Sequence, residues 1–173
     1  MKAKGEKMKY AIVVSSKTGN TALLGDGIKE MLGEGCEYFE KPMEEAKDAD
    51  ILFLGFWTDK GTADAQAMEF IKSITNKKIF LFGTAGFGVS KEYFDRILDN
   101  VKQNVDGSNE ILGTYMCQGK MPIAVRNRYE KLKEETKEEK YDMLIANFDQ
   151  ALSHPDEEDL ERLKEVVGQV IKQ

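Results

Sequence analysis

The sequence predicts an α/β fold in which helices cover both faces of a doubly wound parallel sheet. Three observations support this prediction. Short apolar runs alternate along the chain with stretches whose apolar residues have helical spacing. Two of the apolar runs, residues 50–56 and 78–82, are nearly continuous, which is typical of strands buried on both faces. Polar or glycine-rich loops follow three strands, as expected where such a sheet binds a ligand at the carboxyl ends of its strands.

A strand, a polar turn and a helix are predicted over residues 10–32. Residues 10–14 are apolar and rich in β-branched side chains, which favours a buried strand. After the turn, apolar residues recur at helical spacing, at Leu23, Leu24, Ile28, Met31 and Leu32. The turn offers hydroxyls from Ser16, Thr18 and Thr21 and an amide from Asn20. Because a helix N-terminus also leaves backbone N–H groups unbonded, this stretch is suited to bind a phosphate.

The middle of the chain repeats the alternation of strand, loop and helix. After the first strand, further strands are predicted at residues 36–39, 50–56, 78–82 and 110–117. Helical stretches are predicted as a short turn within 43–49, a helix at 65–74, and a helix at 91–105 with Ser90 as its cap. Loops at 15–20, 57–64 and 83–89 each follow a strand, so we expect all three at one edge of the sheet.

We predict a single domain, residues 1–173, with a helical insertion before its last helix. Residues 1–8 form a charged lead-in that we expect to be flexible. Residues 120–153 are heavily charged and predict one or two surface helices after the fifth strand. The last helix is predicted at 156–171, with carboxylates in its first turn and apolar residues toward the sheet.

Composition and charge restrict the classes of partner. Hydrophobic residues make up 41% and charged residues 32% of the chain, as in soluble globular proteins, and no apolar run is long enough to cross a membrane. The net charge of −6 disfavours nucleic acid and is compatible with docking to a positively charged protein surface. Cys36 and Cys117 are far apart, and there is one histidine, so we expect no conventional metal site and a cytoplasmic location. We expect a monomer that binds neither nucleic acid nor membranes.

The turn at residues 16–21 differs from the common nucleotide-binding loops. No glycine precedes Lys17 at the spacing of the nucleoside-triphosphate loop, and the glycine fingerprint of dinucleotide-binding folds is absent. The sequence Ser-Lys-Thr-Gly-Asn-Thr directly after the first strand resembles the phosphate loop of the flavodoxin family, whose members bind flavin mononucleotide (FMN). The resemblance covers about residues 9–119 and the last helix. It implies a five-stranded parallel sheet of order 2-1-3-4-5.

The resemblance also implies that three loops hold FMN. The implied phosphate-binding residues are Ser16, Lys17, Thr18, Gly19, Asn20 and Thr21. In the second loop Trp57 is expected to stack on the flavin ring, and the peptide expected to turn toward the ring lies within Thr58, Asp59, Lys60 and Gly61. The third loop would contribute Thr84, Ala85, Gly86, Phe87 and Gly88, with Phe87 at the other face or the edge of the ring. Cys117, Gln118, Gly119 and Lys120 either line the rim of the site or only connect two elements.

We therefore expect a flavodoxin-like electron carrier with non-covalent FMN and a low reduction potential, which exchanges electrons with a reductase and an acceptor enzyme. The sequence shows no acid–base or nucleophilic constellation, and His154 is expected to be structural. Two alternatives stay open: an FMN-dependent NAD(P)H quinone or nitro reductase of the same fold, and a partner-binding module without flavin. The runs from Gln118 to Pro122 and from Ser153 to Leu160 resemble a bacterial flavodoxin-like subfamily that includes the accessory protein of bilirubin reductase.

Overall fold

The computed structural model describes residues 5–88 and 90–172, so part of the predicted lead-in, residues 1–4, and Val89 of the third loop lie outside the described residues. The described chain contains six strands and six α-helices. In order these are β1 (Tyr10–Val14), α1 (Asn20–Leu32), β2 (Cys36–Phe39), β3 (Ile51–Asp59), β4 (Thr62–Ala63), α2 (Ala65–Ser73), β5 (Lys78–Ala85), α3 (Lys91–Lys102), β6 (Glu110–Gln118), α4 (Ile123–Thr136), α5 (Lys140–Ala151) and α6 (Glu157–Ile171). Short 3-10 helices lie at Gly33–Gly35 and Glu44–Asp48.

The sheet has the order β2-β1-β3-β5-β6 with all neighbours parallel, and β4 pairs with β3 in the antiparallel sense. When the two-residue β4 is left out, β5 and β6 are the fourth and fifth strands, and the order is the predicted 2-1-3-4-5. The predicted fold class is therefore confirmed. Parallel pairing places the carboxyl ends of β1, β3, β5 and β6 at one edge, where the connecting loops meet.

Two helical layers cover the sheet. Helices α1 and α6 pack on the face that carries Ile12, Phe53 and Phe80, and α2 and α3 pack on the opposite face. Successive side chains of a strand point to opposite faces of the sheet, so each strand contributes to both layers of the core. The central strands are apolar on both faces because helices cover both faces. Burying a side chain such as Phe53 or Phe80, neither of which is exposed, stabilises the fold by about 1.5–3 kcal/mol. In the described residues, none of the helices has the length and apolar character needed to span a membrane.

The segment 57–64, predicted as a loop, is a β-hairpin. Strand β3 continues through Trp57 to Asp59 and pairs back with β4. The turn between them consists of Lys60 (φ 51°) and Gly61 (φ 81°), and two consecutive positive φ values are typical of a type I′ turn. The side-chain amide of Asn100 on α3 donates to the Gly61 carbonyl oxygen at 2.8 Å and holds the turn. Lys-Gly is a weaker hairpin signal than Asn-Gly or Asp-Gly, which is why the pattern alone predicted an open loop.

Two glycines of the central strands lie beneath phenylalanine rings of the neighbouring strand. Gly55 of β3 is paired in register with Phe82 of β5, and Gly83 of β5 is paired with Phe56 of β3. A Cβ atom on Gly55 would lie 2.5 Å from the Phe82 ring, and one on Gly83 would lie 2.5 Å from the Phe56 ring. Both rings are fully buried. Each glycine is therefore required by the ring that covers it.

The predicted insertion forms the hairpin of α4 and α5. Arg126 of α4 holds Asp149 of α5 with two hydrogen bonds, from Nε to Oδ1 at 2.8 Å and from Nη2 to Oδ2 at 3.1 Å. This hydrogen bonding by Arg126 lowers the pKa of the Asp149 carboxyl from its ordinary value. Phe148 on α5 is fully buried, whereas α4 has no buried residue in the described chain. Helix α5 therefore anchors the hairpin and α4 lies on the outside.

Candidate functional site

The loops at the carboxyl edge of the sheet enclose a cavity of about 370 Å³. This volume lies within the range of small-molecule binding sites. Of the residues predicted from the sequence, the lining contains Lys17, Thr18, Asn20, Trp57, Thr58, Lys60, Gly61, Thr84, Ala85, Gly86 and Phe87. It also contains Tyr93, Gly119, Lys120, Met121, Pro122 and Val125. All three predicted loops thus meet at one cavity.

The turn between β1 and α1 presents backbone N–H groups. Within the described residues, the N–H groups of residues 17–21 donate no hydrogen bond to the protein. Gly19, the residue before the helix, has φ 89° and adopts the left-handed conformation that glycine tolerates best. A left-handed residue leading into a helix aligns successive amides around a concave anion site, and the helix dipole adds positive potential. The turn is therefore suited to a phosphate group.

Thr21 does not offer its hydroxyl to the cavity. Its side chain is fully buried, and Oγ1 lies 3.0 Å from the Phe56 carbonyl oxygen and 3.0 Å from Oγ1 of Thr84. The hydroxyl therefore joins the start of α1 to β3 and β5. The expectation that Thr21 contributes a side-chain donor for a phosphate is corrected accordingly, although its backbone N–H is one of the unbonded amides of the turn.

Four other expected residues are absent from the cavity lining that the structure describes. Ser16 accepts a hydrogen bond from the Ala22 N–H at 3.3 Å and so satisfies a first-turn amide of α1. Gly19 acts through its backbone conformation. Asp59 is exposed at the end of the hairpin, and the N–H of Gly88 points to Oδ1 of Asn147 at 3.4 Å. Ser16, Gly19 and Gly88 therefore affect the shape of the loops, whereas the contribution of Asp59 to this edge is an exposed carboxylate.

A buried carboxylate, which the sequence analysis did not single out, ties two of the loops together. Asp64 is 2% exposed and accepts hydrogen bonds from the Ser15 hydroxyl at 2.5 Å, the Trp57 N–H at 3.2 Å and the Ala67 N–H at 3.2 Å. The bond from Ala67 caps α2. The first bond joins the carboxyl end of β1 to the hairpin that carries Trp57. The position of Asp64 directly before a helical stretch indicates a helix cap, but it does not indicate the contacts with Ser15 and Trp57.

Aromatic and cationic side chains form the walls of the cavity. The ammonium of Lys17 lies over the Trp57 indole, 5.0 Å from the ring centroid. Phe87 contacts Tyr93 in an edge-on arrangement with centroids 6.2 Å apart. Tyr93 was predicted to pack inward from α3, and it lines the cavity because the first turn of α3 directly follows the glycine-rich loop. The N–H of Tyr93 donates to Ser90, the predicted cap of that helix.

Side-chain amides connect the insertion to the glycine-rich loop. The Gly86 carbonyl oxygen accepts hydrogen bonds from Gln118 Nε2 and from Asn147 Nδ2, both at 3.0 Å. Gln118 also donates to Asn147 Oδ1 at 3.2 Å.

Asn20 Nδ2 donates to the Lys120 carbonyl oxygen at 2.8 Å and joins the first turn of α1 to the loop after β6. Gly119 and Lys120 line the cavity, whereas Cys117 and Gln118 are buried beside it.

Nucleophiles and metal-ligating groups near the site have other roles. Burial raises the pKa of the Cys117 thiol, so this group stays protonated at neutral pH. One potential metal-ligating atom from each of His154, Asp156 and Asp159 lies within 4.8 Å of the other two. Their contacts are those of the α6 cap: each aspartate accepts the other's backbone N–H at 2.9 Å, and His154 Nδ1 lies 2.6 Å from Asp159 Oδ2. We assign this cluster to helix capping.

Comparisons with known proteins agree with this architecture. A family model described as a flavodoxin domain matches residues 11–168. A curated relative from Clostridium symbiosum (strain WAL-14163), flavodoxin-like domain-containing protein BilS, is 39% identical over 172 residues, covering 88% of this chain and 90% of its own. The protein of the same name from Clostridioides difficile (strain CD3) is 35% identical over 161 residues, with the same two coverages. The crystal structure of oxidised flavodoxin 2 from Bacillus cereus superimposes with a TM-score of 0.60 at 17% identity, over 95% of this chain and 98% of that chain.

Proposed function

Because the chain belongs to the flavodoxin family and has FMN as its cofactor, we propose that it carries electrons between redox partner proteins. The observation that carries the proposal is the set of unbonded backbone amides at residues 17–21, beside a cavity with an aromatic wall. FMN accepts and releases electrons one or two at a time, and the protein supplies binding, orientation and electrostatics. The partners we propose are a reductase as donor and a separate enzyme as acceptor.

The phosphate group of FMN would bind at the turn between β1 and α1. In this proposal the N–H groups of residues 17–21 and the Thr18 hydroxyl donate to the phosphate oxygens. Hydrogen bonds to a charged acceptor contribute about 1.5–3 kcal/mol each, so several of them replace the water lost on binding without a buried counter-ion. The Ser16 hydroxyl accepts from Ala22, and its own proton is available as a further donor.

The flavin ring would lie in the cavity against Trp57. Stacking on an indole contributes about 0.5–1.5 kcal/mol beyond the area that it buries. A Cβ at Gly86 would lie 2.5 Å from the sulfur of Met121, which also lines the cavity, so glycine leaves room between this loop and Met121. These residues would orient the ring and exclude water.

Two buried free cysteines suit a reducing compartment, and we propose a cytoplasmic location on that ground.

Acidic groups around a bound flavin would favour the expected low potential, and the cavity lining differs from that arrangement. Three lysines and no carboxylate line the described cavity. Nearby positive charge favours a reduced, anionic cofactor. The lining therefore gives no electrostatic support for a low reduction potential. We propose electron transfer without assigning a low potential to the cofactor.

Binding of FMN tests this function directly. Trp57 is the single tryptophan, so FMN added to flavin-free protein should quench its fluorescence at one equivalent. Trp57→Ala should weaken FMN and riboflavin alike, by about tenfold, since both ligands have the ring that the indole contacts. Flavin fluorescence reports binding to the variant. A protein that takes up no FMN would contradict the proposal, and NADPH oxidation with a quinone and no added reductase would assign the protein to the enzymes instead.

Asn147 is expected to affect FMN affinity although it belongs to the insertion. Asn147→Ala removes one of the two hydrogen bonds to the Gly86 carbonyl oxygen and the bond from the Gly88 N–H, so the loop loses rigidity. We expect about fivefold weaker FMN binding, corresponding to the loss of about one net hydrogen bond. The control is Gln150→Ala, an exposed position on the same helix. Equal affinities for the two variants would show that the insertion does not support the loop.

A further inference from the structure

The mouth of the cavity carries a local charge opposite to that of the whole chain. Lys17, Lys60 and Lys120 come from three separate loops, line the cavity and are exposed. We call these three residues the lysine rim. No carboxylate belongs to the described lining, whereas the chain as a whole has a net charge of −6.

The lysine rim is not neutralised by ion pairs. Within the described chain, none of its three ammonium groups has a carboxylate within salt-bridge distance. Some lysines elsewhere are paired, as Lys164 is with Glu30 at 3.2 Å and Lys140 with Glu138 at 3.0 Å. The phosphate proposed at the turn between β1 and α1 would offset charge near Lys17, whereas Lys60 and Lys120 keep their positive charge available to an incoming molecule.

Nearby carboxylates reduce this charge only in part. Asp59 is exposed beside Lys60, and Asp64 is buried and used by three hydrogen bonds. At the start of α3, Glu92 is exposed and Lys91 pairs with Asp95 at 2.9 Å. At physiological ionic strength charges farther than about 8 Å are largely screened. A partner in contact with the mouth thus responds to the lysine rim more than to the acidic residues elsewhere on the chain.

An apolar patch lies next to the rim. Pro122 lines the cavity and is exposed, and Ile123 beside it is 63% exposed. An apolar centre bordered by charged groups is the usual arrangement of a transient protein interface. Charge around such a centre mainly sets the rate of association and the choice of partner.

We propose that the redox partner docks over the cavity through a carboxylate-rich surface. This inference rests on the proposed function, because it concerns the protein that exchanges electrons with the bound cofactor. It differs from the expectation from net charge, which was compatible with docking to a positively charged protein surface. The electrostatic potential near the bound cofactor determines which partner surface is favoured, and the lysine rim makes that potential positive.

Oxidation kinetics with small probes measure the sign of this field. The protein is loaded with FMN, reduced anaerobically, and mixed with the ferricyanide trianion or the tris(phenanthroline)cobalt trication. Each complex takes one electron from the reduced flavin and is itself reduced. We expect the ferricyanide rate to fall and the cobalt rate to rise as salt is added. The opposite slopes would mean that net charge governs the approach, and would overturn the proposal.

A matched pair of double variants assigns the effect to the rim. Lys60→Gln with Lys120→Gln should slow ferricyanide about tenfold at low ionic strength, since two positive charges near the trianion are lost. Lys72→Gln with Lys102→Gln changes the net charge equally but removes exposed lysines at the C-terminal ends of α2 and α3, at the far edge of the sheet. This control should keep the rate within about twofold. Equal slowing in both pairs would overturn the proposal.

Protein acceptors test the class of partner. An acidic b5-type cytochrome should be reduced faster as salt is lowered, and a basic c-type cytochrome more slowly. The reverse preference would overturn the proposal while leaving FMN binding and electron transfer intact. Failure of the proposed function would be recognised earlier, because protein that does not retain FMN cannot be loaded for any of these measurements.

Discussion

Thr18→Glu is expected to weaken FMN binding about a hundredfold and to change riboflavin binding by less than about threefold. Thr18 lines the cavity within the turn whose amides are unbonded. A carboxylate there would repel the phosphate of FMN by about 1–4 kcal/mol per unit charge at a separation of about 4 Å, depending on how far water screens the pair. It would also remove a hydroxyl donor worth about 1.5–3 kcal/mol. Riboflavin lacks the phosphate and should be nearly unaffected.

Thr18→Gln is the neutral control of similar size. It should lose only the hydroxyl contribution, about tenfold in FMN affinity. Both variants are titrated with FMN and with riboflavin by quenching of flavin fluorescence. If Thr18→Glu weakened the two ligands equally, the phosphate would have to bind away from the turn between β1 and α1.

Asp64→Ala is expected to lower the free energy of unfolding by about 3 kcal/mol. The substitution leaves three donors without their acceptor: the buried Ser15 hydroxyl and Ala67 N–H, and the half-buried Trp57 N–H. Each buried donor left unpaired costs about 1–3 kcal/mol, although water entering the space would satisfy some of them. Urea unfolding of the flavin-free protein, followed by circular dichroism, measures the change.

Asp59→Ala is the control for the loss of a carboxylate from the same hairpin. Asp59 is exposed, so this variant should change the free energy of unfolding by less than about 0.5 kcal/mol. Asp64→Asn keeps the shape and one acceptor oxygen and should fall between the two. Comparable stability of Asp64→Ala and Asp59→Ala would show that the buried network does not hold the loops together.

Local sequence patterns predicted the framework of the fold because burial and spacing determine it. β2 lies at residues 36–39 as predicted, and Ser90 caps α3 as predicted. The last helix begins one residue after its predicted start, with Asp156 as its cap. The turn at residues 16–21 was recognised because its residues are consecutive. These features depend on neighbours within a few positions along the chain.

The features that the sequence did not predict depend on distant partners. The Thr21 hydroxyl bonds to residues 35 and 63 positions away, so its spacing in the motif does not reveal which way it points. Asn147 and Gly86 are 61 positions apart, and nothing in the charged insertion indicates their contact. Tyr93 has the helical spacing of a core residue, and only the position of the loop before it brings it to the cavity.

The glycines beneath the two central phenylalanine rings constrain how this sheet can change over evolution. A methyl group on Gly55 or Gly83 collides with a fully buried ring, and close packing of a protein interior leaves such a ring little room to move, so either substitution alone should be lost by selection. A change that first replaces Phe82 with a smaller side chain would make room at Gly55, and Phe56 bears the same relation to Gly83. Among descendants of this sequence, the members of each pair should therefore be exchanged together.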